Sequence, residues 1–335
     1  MSFFPEEVVI GVVGAGAWGT ALANVCARSG RRVILWARDS SHCQDLRAHR
    51  ENHRYLPDVL IEEGVEFTDD IAMMRQAHVV LLTVPTQSVR DLCIKLKAYI
   101  KADAAIVLCA KGIERSSRSF LSDVCRAELP HTRLAVLSGP SFAQDVSRGL
   151  PTAVTLAAEH IDFAAALANL MSGRTFRLYH TDDVRGVEIG GATKNVLAIA
   201  TGIAHGRGLG ASAGAALIAR GFAELSRFGQ ACGARAETLM GLSGLGDLVL
   251  TCSSEQSRNF SFGMALGRGE LIQQAHHGKL AEGSFTASVL IEKAHQLNVD
   301  MPIAESVSAV ISGQLSIDQS IERLMSRPSK AESKM

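Results

Sequence analysis

The stretch VVIGVVGAGAWGTALANVCARSGRRVILWARD, residues 8–39, constrains this chain more than any other. The apolar run 8–13 reads as a strand, 18–28 as a helix stopped by Gly30, and 32–36 as a second strand. Gly14, Gly16 and Gly19 lie between the first strand and the helix in the spacing G-x-G-x-x-G. In that context each glycine has a task. Gly14 permits the tight turn, Gly16 lets backbone approach a pyrophosphate, and Gly19 lets the helix pack on the strand. The diphosphate of a dinucleotide would then meet the helix N-terminus. A glycine-rich βα turn without a ligand is the plain alternative.

Further apolar runs at 78–84, 104–109, 134–137, 153–157 and 175–179 alternate with helical patterns such as 87–99 and 119–128. This is the signature of βαβ units and a parallel sheet. After Asp182 the strand-like runs stop, and Ala/Leu/Gly-rich helical patterns continue to about Leu324. Asp182 or Asp183 suits the N-cap of the helix that follows. The expected architecture is an α/β Rossmann-type N-terminal domain with a parallel sheet, residues 1–185, and an all-α C-terminal domain, 186–330. A tail at 331–335 closes a polar, lysine-rich run that starts at Ser326 and reads as a frayed end.

Formal net charge is zero over 335 residues, so no global field favours nucleic acid or an anionic membrane. Seven scattered cysteines without C-x-x-C read as reduced thiols, not as a disulfide or zinc framework. The eleven histidines show no metal-ligand spacing, and His276-His277 reads as an exposed loop pair; no metal is expected. Residues 1–7 carry no cationic n-region, and no apolar run approaches bilayer length. The expected compartment is the cytoplasm, with no integral membrane segment.

In open α/β sheets ligands bind beyond the carboxyl ends of the strands. Arg38 follows the second strand, where a guanidinium suits the 2′-phosphate of NADPH, while Asp39 leaves NADH open; Arg38 as a solvated loop cation is the alternative. VPTQ at 84–87 offers Pro85 and a Thr86 N-cap, AKGIE offers Lys111-Gly112, and LSGPSFAQDV offers Ser138-Gly139-Pro140-Ser141 before a short helix. Each alone also fits an ordinary βα loop; a lysine and backbone N–H groups at neighbouring strand ends together point to an anion or carboxamide site.

In the helical half, GGATKN at 190–195 sets Lys194 on a helix with Gly190 and Gly191 as its neighbours. Each interior glycine costs about 1 kcal/mol relative to alanine, so the pair reads as baring the helix flank for a ring and a small substrate to reach the lysine. GLSGLGD forms a glycine-rich loop running up to Asp247. Ser257, Arg258 and Asn259 suit a phosphate through a forked guanidinium and neutral hydrogen bonds; spacing alone fits a capped helix with a surface arginine equally well. Lys111, the Ser-Gly-Pro turn and Ser257-Arg258-Asn259 are expected to converge on Lys194.

GAGAWGTALA (14–23), AKGIE (110–114), LSGPSFAQDV (137–146), GVEIGGATKNVLAIATGI (186–203), GLSGLGDLVLTC (241–252), SRNFSFG (257–263) and AEGSFTA (281–287) resemble, in order, the NAD(P)-dependent sn-glycerol-3-phosphate dehydrogenases of soluble bacterial type. The resemblance implies interconversion of dihydroxyacetone phosphate and sn-glycerol 3-phosphate with NADPH or NADH, supplying the glycerol phosphate of phospholipids. It makes Lys194 the catalytic acid/base and places Lys111 against both cofactor and substrate. Gly139, Ser141, Asp247, Ser257, Arg258 and Asn259 would surround the glycerol phosphate. Gly14, Gly16 and Gly19 with Trp18, Arg38, Ala143, Arg258, Leu280 and Glu282 would line the dinucleotide. It also suggests a homodimer. The chain departs from the family at Ala17, at Gly210-Ala211-Ser212 and at Leu280-Ala281, which touches fine cofactor contacts. Two alternatives remain: a related dehydrogenase acting on β-hydroxyacids or 6-phosphogluconate, and a non-catalytic NADP-binding sensor.

Overall fold

A computed structural model of the chain describes residues 3–275 and 281–328. Leu280, His276-His277 and the 331–335 tail lie outside the described residues. Two compact units divide inside one long helix: residues 1–111 with 119–188, and residues 112–118 with 189–335.

The first unit opens with β1 (Val9–Val13), α1 (Ala17–Arg28), β2 (Arg32–Trp36), α2 (Ser40–His49), β3 (Glu51–Asn52), β4 (Leu56–Leu60), β5 (Val65–Thr68) and β6 (Val79–Leu82). It continues through α3 (Val89–Leu96), β7 (Ala105–Leu108), α4 (Leu121–Glu128), β8 (Arg133–Ser138), α5 (Ala143–Ser147), β9 (Thr152–Ala158), α6 (Ile161–Met171) and β10 (Phe176–Thr181). Eight strands form one sheet in the order β10-β9-β8-β7-β6-β1-β2-β5. All neighbours are parallel except β8 and β9, which run antiparallel with Val136 opposite Ala157. The strands read from the sequence are present with shifts of one or two residues at their ends.

Period-two side-chain direction splits the strands between two apolar layers. Ile10, Val12, Val33, Leu35, Val79 and Leu81 join the layer that holds Leu22 and Cys26 of α1. Val13, Ile34, Val80, Leu82, Ile106 and Leu108 face the opposite layer, with Leu92 and Leu121. Each fully buried Leu or Ile contributes about 1.5–3 kcal/mol, so covering both faces stabilises the sheet strongly.

Two expectations from the sequence differ from the structure. Thr86 is not an N-cap but the first residue of a 3-10 turn, Thr86–Ser88, whose cap is Pro85, and α3 starts only at Val89. The sheet is not wholly parallel, because β9 returns antiparallel. The hairpin β3/β4 and the edge strand β5 carry no apolar run, yet β5 pairs with β2 through Val33 and Val65.

The long helix is α7 (Val184–Gly206). The Oδ1 of Asp183 accepts from the N–H of Gly186 at 2.8 Å, as the N-cap reading expects. The second unit adds α8 (Gly210–Ala231), α9 (Ala236–Met240), α10 (Asp247–Cys252), α11 (Arg258–Gly267), α12 (Ile272–Ala275), α13 (Glu282–Gln296), α14 (Pro302–Ile311) and α15 (Ile317–Met325). It has no strand among the described residues. The segment 112–118 joins this unit through Arg115 stacked on Phe285, an ion pair of Arg118 with Glu292, and the Lys293 ammonium on the Arg118 carbonyl.

Residues 186–199 of α7 are buried all round. Helices reach it closely because glycines face their backbones. A Cβ on Gly202 would stand 2.2 Å from the Phe260 carbonyl oxygen of α11, and one on Gly206 2.2 Å from that of Met264. The contact is reciprocal: a Cβ on Gly263 would meet the Ile199 oxygen at 2.2 Å, and one on Gly267 the Ile203 oxygen at 2.4 Å.

Candidate active site

In the first unit the glycine loop follows β1 and opens α1. Gly14 takes φ +119°, a conformation that L side chains rarely adopt, and its N–H donates to the Trp36 carbonyl. A Cβ on Gly19 would lie 1.9 Å from the Gly14 oxygen, so the helix can sit this near the turn only with glycine there. A Cβ on Gly16 would meet nothing within 4 Å, which leaves the open side of the loop free for a ligand's backbone-level approach. These features fit a dinucleotide: a positive-φ turn, an open second glycine and helix N–H groups.

The loop is buttressed by residues the sequence did not single out. Asn52, fully buried, donates through Nδ2 to the Ala15 oxygen at 3.0 Å and to Thr20 Oγ1 at 2.7 Å. His42 also contacts the Ala15 oxygen through Nε2 at 3.2 Å. Arg38 is exposed, and Trp18 and Ala143 are half-buried. Asp39 caps α2: its Oδ1 accepts from the Ser41 hydroxyl at 2.7 Å and from the Ser41 and His42 amides, which hold its carboxyl below its ordinary value. Its Oδ2 lies 3.5 Å from Arg54, whose guanidinium stacks on Tyr55.

Three strand-end residues of the same unit come together. The half-buried Lys111 donates to the Gly139 carbonyl at 3.1 Å, and the Ser141 hydroxyl donates to that same oxygen at 3.1 Å. The short helix after the turn starts at Ala143, with Phe142 as its cap.

In the second unit Lys194 is buried, 8% exposed, and its ammonium donates to Asp247 Oδ1 at 2.6 Å and to Thr251 Oγ1 at 2.9 Å. The Thr251 hydroxyl donates to the Asp247 carbonyl at 2.6 Å, so its lone pairs face the lysine. A buried ammonium with a carboxylate and an oriented hydroxyl is a charge held in fixed geometry. Thr251 was missed in the sequence, although it stands one turn after Asp247 on the same helix face.

Gly190 has a different task from the expected one. A Cβ there would lie 2.3 Å from the Ser243 oxygen and 3.0 Å from the Gly244 Cα. The glycine therefore admits the backbone of residues 242–246, and with it Asp247 and Thr251, against the turn that carries Lys194. That segment is not a loop but one π-helical turn, Leu242–Gly246, leading straight into α10.

Ser257 caps α11 by accepting from the Phe260 amide at 3.2 Å, and Arg258, the first helical residue, is exposed. Asn259 Oδ1 accepts from the Gly283 amide at 2.9 Å at the start of α13, beside the half-buried Glu282. A Cβ on Gly283 would stand 2.5 Å from the Asn195 oxygen and 2.9 Å from Asn259 Oδ1, so the start of α13 packs closely on α7 at Asn195, next to Asn259.

A dinucleotide loop on a mostly parallel sheet in one unit and a buried lysine–aspartate pair in a helical one define a nicotinamide-dependent dehydrogenase of two units. The family models for the N-terminus and C-terminus of NAD-dependent glycerol-3-phosphate dehydrogenase match residues 9–164 and 183–322. The chain belongs to that family. It is 58% identical to the glycerol-3-phosphate dehydrogenase [NAD(P)+] of Azorhizobium caulinodans, over 96% of this chain and 98% of that one. The crystal structure of glycerol-3-phosphate dehydrogenase from Coxiella burnetii superposes with a TM-score of 0.92 at 39% identity, covering 96% of this chain and all of that one. A Saccharomyces cerevisiae structure shares the fold, with a TM-score of 0.82 at 24% identity over 95% and 99% of the two chains. The family match sets aside a β-hydroxyacid or 6-phosphogluconate dehydrogenase.

Proposed function

We propose that the chain reversibly reduces dihydroxyacetone phosphate to sn-glycerol 3-phosphate with NADPH or NADH, and that Lys194 is its acid/base. The observation that carries this reading is the buried Lys194–Asp247–Thr251 arrangement in a chain of this family. When bound, the nicotinamide supplies a hydride to C2 of the ketone. Negative charge then builds on the C2 oxygen, and a positioned proton donor lowers that barrier. The Lys194 ammonium donates the proton, leaving a neutral amine. In the reverse direction the amine takes the proton from the C2 hydroxyl. Asp247 and Thr251 fix the nitrogen during both half-steps, with Asn195 as a helper.

Gly14, Gly16, Trp18, Gly19, Arg38 and Ala143 hold the dinucleotide in this reading, with Glu282 and Leu280. Lys111 serves cofactor and substrate. Gly139, Ser141, Ser257, Arg258 and Asn259 bind the glycerol phosphate, Arg258 also reaching the cofactor. The product supplies phospholipid synthesis in the cytoplasm. No described helix is long and apolar enough to cross a membrane. The enzyme acts as a homodimer, a state that the family resemblance suggests and that sedimentation reads out.

The test is cofactor oxidation on adding dihydroxyacetone phosphate, with NADPH and NADH compared. Turnover is expected with at least one; binding of cofactor without oxidation would identify a sensor instead. Arg38→Ala is expected to raise KM for NADPH far more than for NADH, and equal effects would remove the 2′-phosphate role.

A further inference from the structure

Sequence spacing points to no metal among the histidines, yet the fold brings two of them onto one carboxylate. Asp45, His49 and His53 form the single cluster of three metal-ligating side chains among the described residues. Asp45 and His49 stand one turn apart on α2. Arg50 then takes the left-handed conformation, φ 48°, ends the helix and turns the chain back through β3. This return sets His53 beside His49, with ring centroids 5.1 Å apart.

The donor atoms already stand at coordination spacing. Asp45 Oδ1 lies 2.9 Å from His49 Nδ1, Asp45 Oδ2 lies 3.6 Å from His53 Nδ1, and one donor atom from each residue falls within 4.8 Å of the others. A tetrahedral ion with bonds near 2.0–2.1 Å holds its donors roughly 3.3 Å apart. Two imidazoles and one carboxylate suit zinc and its d-block neighbours; calcium and magnesium prefer oxygen alone.

A fourth group lies behind the set. Glu51 Oε2 is 3.6 Å from His53 Nε2, the ring nitrogen opposite the one that faces Asp45, and Glu51 Oε1 accepts from the Asp58 amide at 2.8 Å. A carboxylate behind a ligating imidazole is the usual way such rings are held. Both histidines are exposed and Asp45 is half-buried, so an ion could enter from solvent and keep a water ligand.

The site adjoins the dinucleotide loop through the chain itself. Asn52, which holds the Ala15 oxygen and Thr20, lies between Glu51 and His53, and Arg54 reaches Asp39. We propose that Asp45, His49 and His53 bind one divalent d-block cation of the zinc class, and that its occupancy tightens dinucleotide binding by pinning residues 49–54 beneath the glycine loop. The coupling clause rests on the reading of that loop as the cofactor site; the metal clause does not. Coupling of this kind is reciprocal, so cofactor must also tighten the metal.

The test uses the full-length protein freed of metal by chelation. Cobalt(II) is added while its visible d–d absorption is followed, and zinc is titrated against a chromophoric chelator. One equivalent of each is expected in the wild type, weakened about tenfold or more in His49→Ala and in His53→Ala. Both side chains are exposed, so the variants should fold, which circular dichroism checks. NADPH is then titrated by its fluorescence with and without zinc. Several-fold tighter binding with zinc in the wild type, absent in His49→Ala, supports the coupling; an unchanged NADPH affinity overturns it. Metal binding that both variants retain, or none at all, overturns the site. If NADPH fails to bind under any condition, the cofactor-loop reading fails, and the cobalt spectrum still decides the metal claim.

Discussion

In the sheet unit α1 lies on the strands through side chains: Leu22, Val25 and Cys26 pack among Ile10, Val12, Val33 and Leu35. In the helical unit α7 and α11 instead meet backbone to backbone, through Gly202, Gly206, Gly263 and Gly267. The first arrangement tolerates exchange of one apolar side chain for another of similar volume. The second leaves no room at its four glycines, so an added atom there must separate the helices. The same device recurs at Gly190, where it decides whether Asp247 and Thr251 reach Lys194.

Substitutions that add one methyl group can break this contrast. Gly202→Ala should lower stability by about 1–3 kcal/mol, since overpacking of this kind has that range. Chemical denaturation measures it, and an unchanged midpoint would show that the helices are free to part. The next effect concerns a carboxyl that the helical unit does bury. Glu224 accepts from the Ile303 and Ala304 amides at the start of α14, and burial pushes its pKa from 4.5 up to about 7. Between these values the native state binds the extra proton, so its contribution is full below pH 4.5 and lost as pH rises through about 7. Glu224→Gln should therefore gain melting temperature relative to wild type as pH rises from 5 to 7.5; a constant difference would contradict the shift. The smallest effect has the opposite sign. Gly214 lies inside α8 with open space around its would-be Cβ, so Gly214→Ala should stabilise by about 0.5–1 kcal/mol. A loss there would mean that small residues serve this unit generally, not at close approaches alone.

Much of the sheet unit was legible because β6 and β7 are continuous apolar runs and the glycine spacing sits between a strand and a helix. The two-residue β3, the proline-interrupted β4 and the edge strand β5 gave no such signal, since none is a continuous apolar run. The antiparallel β9 looks like any apolar strand, because direction is set by the connection and not by composition. In the helical unit Lys194 stood out through its glycine neighbours, but their purpose did not. Gly190 faces Ser243, more than fifty residues away, and no local pattern reveals that. GLSGLGD read as a loop because glycines erase helical periodicity, whereas tertiary packing holds it as a π turn. Asn52 was invisible for the same reason: its partners are Ala15 and Thr20. The cap role of Ser257 was one of the two readings its spacing left open, since that role is local.

The proposed function divides the labour between the units: Lys194 is to move the proton and the sheet unit to hold the dinucleotide. Lys194→Ala, assayed for NADPH affinity by fluorescence and for turnover with dihydroxyacetone phosphate, tests it most directly. The account predicts an NADPH Kd within error of wild type and a kcat lowered by about 10²–10⁴-fold, the range of general acid–base catalysis. Near-normal turnover in a folded variant that binds NADPH would contradict it.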